Sequence, residues 1–373
     1  MSALGRRGLV EGPGVFRLTR PTPALRGAAC LGATLALALS ACATARSGAG
    51  PGSAGDRAAY GDLAARNDEE LFAIGSAARQ AGDAQRAALA FSRLADAFPR
   101  SVRARAALLE AGLAWRELER WDLAEDRFRR LAEGYRGADA DEAAFFLAEV
   151  LYRQGRHAES RQVLDGLAAR ADLDAPQVAR ALTQRAVVEL EDADPEAAER
   201  SLARALASWR SSDPDQRLRG YYPGKAYFYM GEVYRSRLLA LKLDFAGDEA
   251  VLAEQLEQES QLLLAAQAHY LDAVRTGEAG WAVAACARVG ELYDGFYRQL
   301  MDAPLPRGIE GDLAQAYRHE LRQRARVLVE KAVVAYEEAL SVARRTSADS
   351  SFVPRAEEAL DRMRRILEQD GDG

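Results

Sequence analysis

The sequence predicts an all-α chain of repeated helical hairpins, and three observations carry that expectation. Alanine, leucine, arginine and glutamate dominate from Asp62 onward, and runs of β-branched residues are few, which is a helical composition. Residues 71–135 write one hairpin twice. The first copy places small and apolar residues at Leu71, Ile74, Gly75, Ala78, Ala87, Phe91 and Leu94, followed by Pro99. The second places them at Leu108, Ala111, Gly112, Trp115, Ala124, Phe128 and Leu131, a constant shift of 37. The third observation is that weaker copies continue the register. Ala144, Leu147, Ala148, Leu151, Gly155, Ser160, Leu164 and Leu167 form one, and Leu182, Ala186, Ala198, Leu202 and Ala205 another. Gly75 and Gly112 let the two helices of a hairpin approach closely. The alanine four residues before each aromatic puts a flat spot and a knob on one face of the second helix.

This pattern resembles the tetratricopeptide repeat, in which a large residue, a small one and an aromatic on helix A precede Ala-x3-Phe and a closing proline on helix B. The resemblance implies a right-handed, TPR-like helical-hairpin solenoid with a longer-helixed, irregular C-terminal half. It covers residues 67–206 well and is loose beyond Tyr221.

Taken in order, residues 1–41 read as a lipoprotein signal peptide. Arg6, Arg7, Arg17, Arg20 and Arg26 form a basic leader, and the apolar run 28–39 is too short for a stable membrane span. The run ends in Leu39-Ser40-Ala41-Cys42, similar to the lipobox of bacterial lipoproteins, so Cys42 is the expected lipidation site. The resemblance implies anchoring by several acyl chains without a transmembrane helix. By the same resemblance, Ala43 in place of a retention-favouring aspartate implies the outer membrane, with the body in the periplasm. Residues 42–66 read as the lipidated cysteine and a Gly/Ser/Ala-rich tether. Four hairpins fill 67–207, with Asp141 and Asp174 as expected helix N-caps. The Ser/Asp/Pro/Gly-rich stretch 208–223 breaks the pattern.

Residues 224–368 resume it in divergent form. A fifth hairpin has Tyr227, Met230, Gly231 and Tyr234, then Ala266, Tyr270 and Ala273. Tyr234 and Tyr270 are 36 apart where the first repeats show 13, so residues 238–264 hold an amphipathic insertion expected to lengthen both helices. A sixth has Cys286, Val289, Gly290 and Tyr293, then Ala332, Tyr336 and Ala339. Between its helices lies a turn with Pro304 and Pro306, which cannot be helical. One helix is expected over 313–345, an amphipathic cap over 352–367, and a frayed tail at 369–373.

Composition narrows the function. The formal charge is −6, and losing the leader takes it to about −10, which disfavours nucleic acid and anionic lipid surfaces as partners of the body. Cys30 leaves with the leader and Cys42 carries lipid, so Cys286 stands alone without a disulfide partner and reads as core packing. The sequence holds no phosphate-binding loop, nucleophile elbow or HExxH. His157, His269 and His319 lie in different hairpins without ligand spacing; His157 reads as a solvated turn residue, the other two as surface or groove positions. No catalytic residue, cofactor, metal or small-molecule substrate is expected.

Tetratricopeptide arrays line their concave face with helix-A residues outside the repeat pattern. Carried over, the position after the first pattern residue gives Phe72, Leu109, Phe145, Thr183 and Phe228. The position after the later aromatic gives Arg79, Arg116, Tyr152 and Arg235, with Arg153 beside Tyr152. An aromatic row flanked by arginines suits an extended peptide with apolar and acidic side chains. The alternative is that the phenylalanines pack between helices and the arginines are solvated. By resemblance the chain groups with envelope tetratricopeptide lipoproteins: the lipoprotein partner of outer-membrane β-barrel assembly, pilus pilotins and gliding-motility scaffolds. The expected function is a non-enzymatic scaffold joining other envelope proteins. The competing expectation is an adaptor coordinating peptidoglycan synthesis or hydrolysis; a hydrolase hidden in the irregular half is a third class.

Overall fold

A computed structural model describes residues 60–212, 219–245, 248–305 and 308–369. The expected signal peptide, Cys42 and most of the expected tether lie outside the described residues, as does the tail beyond Gln369. The described residues form thirteen α-helices and no strand. They are α1 (Asp68–Gln80), α2 (Ala84–Ala97), α3 (Ala104–Glu117), α4 (Trp121–Gly134), α5 (Ala138–Arg153), α6 (His157–Ala168) and α7 (Ala175–Glu191). Then come α8 (Pro195–Ser212), α9 (Tyr221–Ala240), α10 (Glu249–Arg275), α11 (Ala279–Asp302), α12 (Gly311–Thr346) and α13 (Phe352–Gln369). No described helix is long and apolar enough to cross a membrane. The chain divides into two compact units between Ser160 and Arg161, within α6.

In the N-terminal unit local signals set the helix ends. Asn67 caps α1 in a capping box: its side chain accepts from the Glu70 amide at 2.8 Å, and the Glu70 carboxylate accepts from the Asn67 amide at 3.0 Å. Gly82 closes the α1–α2 turn at φ 76, a conformation that costs glycine little. The hairpins lock through one contact repeated. A Cβ on Gly75 would lie 2.8 Å from the Phe91 ring, and one on Gly112 would lie 2.5 Å from Phe128. Both rings are buried, so each glycine exists to seat an aromatic side chain. Trp115 Nε1 donates to Ser92 Oγ at 2.9 Å, tying the second hairpin to the first.

Two expectations change here. The tether does not run to residue 66: Gly61–Leu63 form a 3-10 turn, and Leu63 and Ala64 are buried. Arg93 Nη2 donates to the Ala64 carbonyl at 3.0 Å. Tyr60 donates to Asp96 at 2.7 Å, and Arg127 and Arg130 donate to the same carboxylate, Arg130 at 2.6 Å. Burial pushes the Asp96 carboxyl upward, but these donors outweigh it and hold it below its ordinary value. Asp141 is not a cap either. Gly137, at φ 96, precedes α5 directly, which places Asp141 inside the first helical turn, where it is buried.

In the C-terminal unit Asp174 caps α7 as expected, in a capping box with Gln177. The break at 208–223 is narrower than the composition implies, since α8 runs to Ser212 and α9 starts at Tyr221. The insertion lengthens both helices of the fifth hairpin: α9 has 20 residues and α10 has 27. The glycine–aromatic lock returns in both late hairpins, with Gly231 against Tyr270 and Gly290 against Tyr336, each at 2.5 Å for an added Cβ. The 36-residue α12 extends about 54 Å. Cys286 is buried, and burial pushes its thiol up to about 11.

The core of this unit also holds a charge network. Glu232 accepts from Tyr270 at 2.5 Å and from Arg288 Nε at 2.8 Å, and Arg288 also reaches Glu291. Burial works against the Arg288 charge, but Glu232 and Glu291 outweigh it and hold the guanidinium above its ordinary value.

Candidate functional site

The face where the resemblance points lies on the first helix of each hairpin. In the N-terminal unit it is built from α1, α3 and α5. Phe72 is half-buried, its ring edge-on to Phe91 at 5.6 Å, and Leu109 is half-buried one repeat later. Arg79 on α1 pairs with Glu110 on α3 at 3.0 Å, and Arg116 on α3 pairs with Glu149 on α5 at 3.1 Å. The two pairs repeat one inter-helix stitch. Phe145 is 1% exposed and packs in the core. Its neighbour Phe146 takes the half-exposed place, 5.1 Å from Phe128 and beneath the Arg116 guanidinium at 4.5 Å. Two adjacent phenylalanines made the register ambiguous by one residue, and only packing against Phe128 resolves it. Tyr152 stacks on His157 at 5.4 Å, which makes His157 a ring-stacked helix start and not a solvated turn residue; Arg153 is exposed at the end of α5.

In the C-terminal unit the aromatic row does not reach the surface. Thr183 is fully buried, with Oγ1 donating to the Ala179 carbonyl at 2.8 Å. Phe228 is buried among Trp281 at 5.2 Å, Tyr270 at 5.6 Å and Phe352 at 6.0 Å. The cause is the C-terminal helix: Phe352 opens α13, and Arg288 stacks on it at 5.0 Å. The chain's own terminus therefore covers the groove position expected at Phe228. His269 stacks on Tyr234 at 5.2 Å, and burial holds its imidazole below its ordinary value.

Arg235 lies 3.6 Å from both Glu232 and Glu291 and lines a polar cavity of about 450 Å3. Asp294, 1% exposed on its floor, accepts from Arg298 at 3.1 Å and Arg362 at 2.6 Å. The Tyr336 hydroxyl and Glu259 Oε2 reach this cavity without hydrogen-bond partners among the described residues. Burial raises both groups, with Gln299 opposing the shift at Glu259. Among the described residues no cluster of histidine, cysteine, aspartate and glutamate has metal-binding geometry. The sequence reading missed Phe146, Glu110 and Glu149. The recurrence of an acid 31 and 33 residues after Arg79 and Arg116 was the available signal.

No family model matches this chain, and no curated protein matches it in sequence. Among solved structures it is similar to tetratricopeptide-type proteins. The TPR-like repeats of a putative kinesin light chain from Podosopora anserina match at TM-score 0.38 and 14% identity, covering 53% of this chain and 96% of that one. A tetratricopeptide repeat protein from Parabacteroides merdae matches at 0.37 and 14%, covering 79% and 98%. BtubC (BKLC) from P. vanneervenii matches at 0.38 and 16%, covering 78% and 91%. These scores are too low to carry a function across. The repeated glycine–aromatic hairpins themselves identify the fold as TPR-like.

Proposed function

We propose that this chain is a lipid-anchored, non-enzymatic adaptor that joins proteins of the cell envelope, held at the outer membrane through Cys42 with its body in the periplasm. The observation that carries the binding role is the α1–α3–α5 face. Phe72, Leu109 and Phe146 lie there half-buried, beside the Arg79–Glu110 and Arg116–Glu149 pairs. Partly exposed aromatics next to arginines form a surface suited to a peptide with apolar and acidic side chains. The anchor rests on the sequence alone: basic leader, short apolar run and Leu39-Ser40-Ala41-Cys42 occur in the order lipidation requires.

The test is crosslinking in the native host followed by membrane fractionation and identification of captured proteins. Wild type should fractionate with the outer membrane and capture a small set of envelope proteins. Cys42→Ser should leave that fraction, and Arg79→Glu with Arg116→Glu should keep location but lose capture. If Cys42→Ser fractionates like wild type, the anchor is wrong. If the arginine variant captures the same set, the face is wrong.

A further inference from the structure

We propose that the chain forms a two-fold symmetric dimer through α12, with a second copy of α12 running antiparallel along its exposed face. Most of the N-terminal part of this helix is unpacked: of residues 311–324 only Ala314 and Leu321 are even half-buried. A helical extension of that length without a packed face is marginal in water. The extension nevertheless carries Leu313 and Tyr317 in the open, 59% and 37% exposed, and the packed part of the helix beyond it adds Val327 at 48% and Val334 at 65%.

Those residues fall on one line. Positions 313, 317, 320, 324, 327, 331 and 334 are separated alternately by four and three residues, the 3.5-residue period of a helix seam facing another helix. The line reads Leu, Tyr, Glu, Arg, Val, Lys, Val, and its first six positions are complementary to their own reverse. Antiparallel pairing about a two-fold axis at residue 322 sets Glu320 against the partner's Arg324, and Arg324 against the partner's Glu320. It sets Tyr317 against the partner's Val327 and Leu313 against the aliphatic stem of the partner's Lys331. A two-fold axis makes every such contact twice, as an isologous interface requires.

The surface beside the seam supplies the receiving shape. An apolar groove of about 490 Å3 lies between α10 and α12 over α11, walled by Leu271, Val274, Val289, Tyr293, Val327 and Val334. The antiparallel register brings the partner's Leu313 and Tyr317 to this groove. The ion pair on the seam, Arg324 with Glu320 at 2.7 Å, has side chains 79% and 60% exposed. Such a pair is weakly held within one chain and exchanges at little cost for the same pairing between chains.

Sedimentation of the purified full chain carrying Cys42→Ser, which leaves α12 untouched, tests the proposal. The protein should sediment as a dimer. Glu320→Arg alone and Arg324→Glu alone each place two like-charge pairs on the axis and should weaken dimerisation about tenfold. An equimolar mixture of the two variants should recover the dimer, because each then supplies the charge the other lacks; a folding defect would not be repaired by mixing. A monomer for the unsubstituted seam at every concentration overturns the proposal. So does a dimer that both single variants retain, or a mixture no tighter than its components.

Discussion

Replacing Gly112 by alanine tests the central packing device of the fold. In a helix interior alanine is favoured over glycine by about 1 kcal/mol, so sequence rules alone expect a stabilised α3. The structure reverses the sign. The added Cβ would sit 2.5 Å from Phe128 Cε1 and 2.8 Å from Cδ1 and Cζ, where carbon atoms prefer about 3.5–4.0 Å. The ring has little room to retreat: it is fully buried and has Phe146 5.1 Å away. Overpacking of this kind costs about 1–3 kcal/mol, which cancels the helix gain and leaves a net loss of up to about 2 kcal/mol. Gly166→Ala is the control, since nothing lies within 4 Å of its added Cβ and the residue is exposed on α6. Urea denaturation should show the first variant less stable and the control equal or more stable. Phe128→Leu should cost less in the Gly112→Ala background than alone, because the smaller side chain relieves the clash. A Gly112→Ala protein as stable as the Gly166→Ala protein would refute the assignment of that glycine to ring seating.

Removing the Glu232 carboxylate as Glu232→Leu should destabilise the C-terminal unit by about 3 kcal/mol in the same assay, because it deprives the buried Arg288 of the more deeply buried of its Glu232 and Glu291 counter-charges. Tyr270→Phe, which removes one donor from that carboxylate, should cost about 1.5 kcal/mol. His269 gives the fold an acid-sensitive contribution. Burial lowers its folded value, so the unfolded chain binds the proton more readily, and stability falls as pH drops from about 6.5 through the lower folded value. His269→Gln should flatten the urea midpoint between pH 7.5 and 5 relative to wild type. Asp96→Asn should release residues 60–66 from the first hairpin, which limited proteolysis would detect as faster cleavage near Tyr60.

The hairpins are written locally in the chain. A glycine on one helix and an aromatic residue sixteen positions later on the next are a local instruction, and Gly75–Phe91 and Gly112–Phe128 obey it as written. Capping chemistry is local too, so Asp174 was legible as a helix start, whereas Asp141 lost that place to Gly137. Which side chains remain for a partner depends on how the helices pack. Phe145 and Phe146 are one helical step apart, and nothing short of the Phe128 ring says which of them faces inward. Phe228 occupies the expected repeat position, yet it is covered by Phe352, a residue 124 positions away whose docking no period in the sequence encodes. Arg79 and Arg116 recur at one repeat position, but their partners Glu110 and Glu149 come from the next repeat. Burial of a repeat residue depends on the helices stacked against it. Periodicity therefore fixes the element and its inward face, while the fate of the outward face waits on the neighbours that the folded chain brings to it.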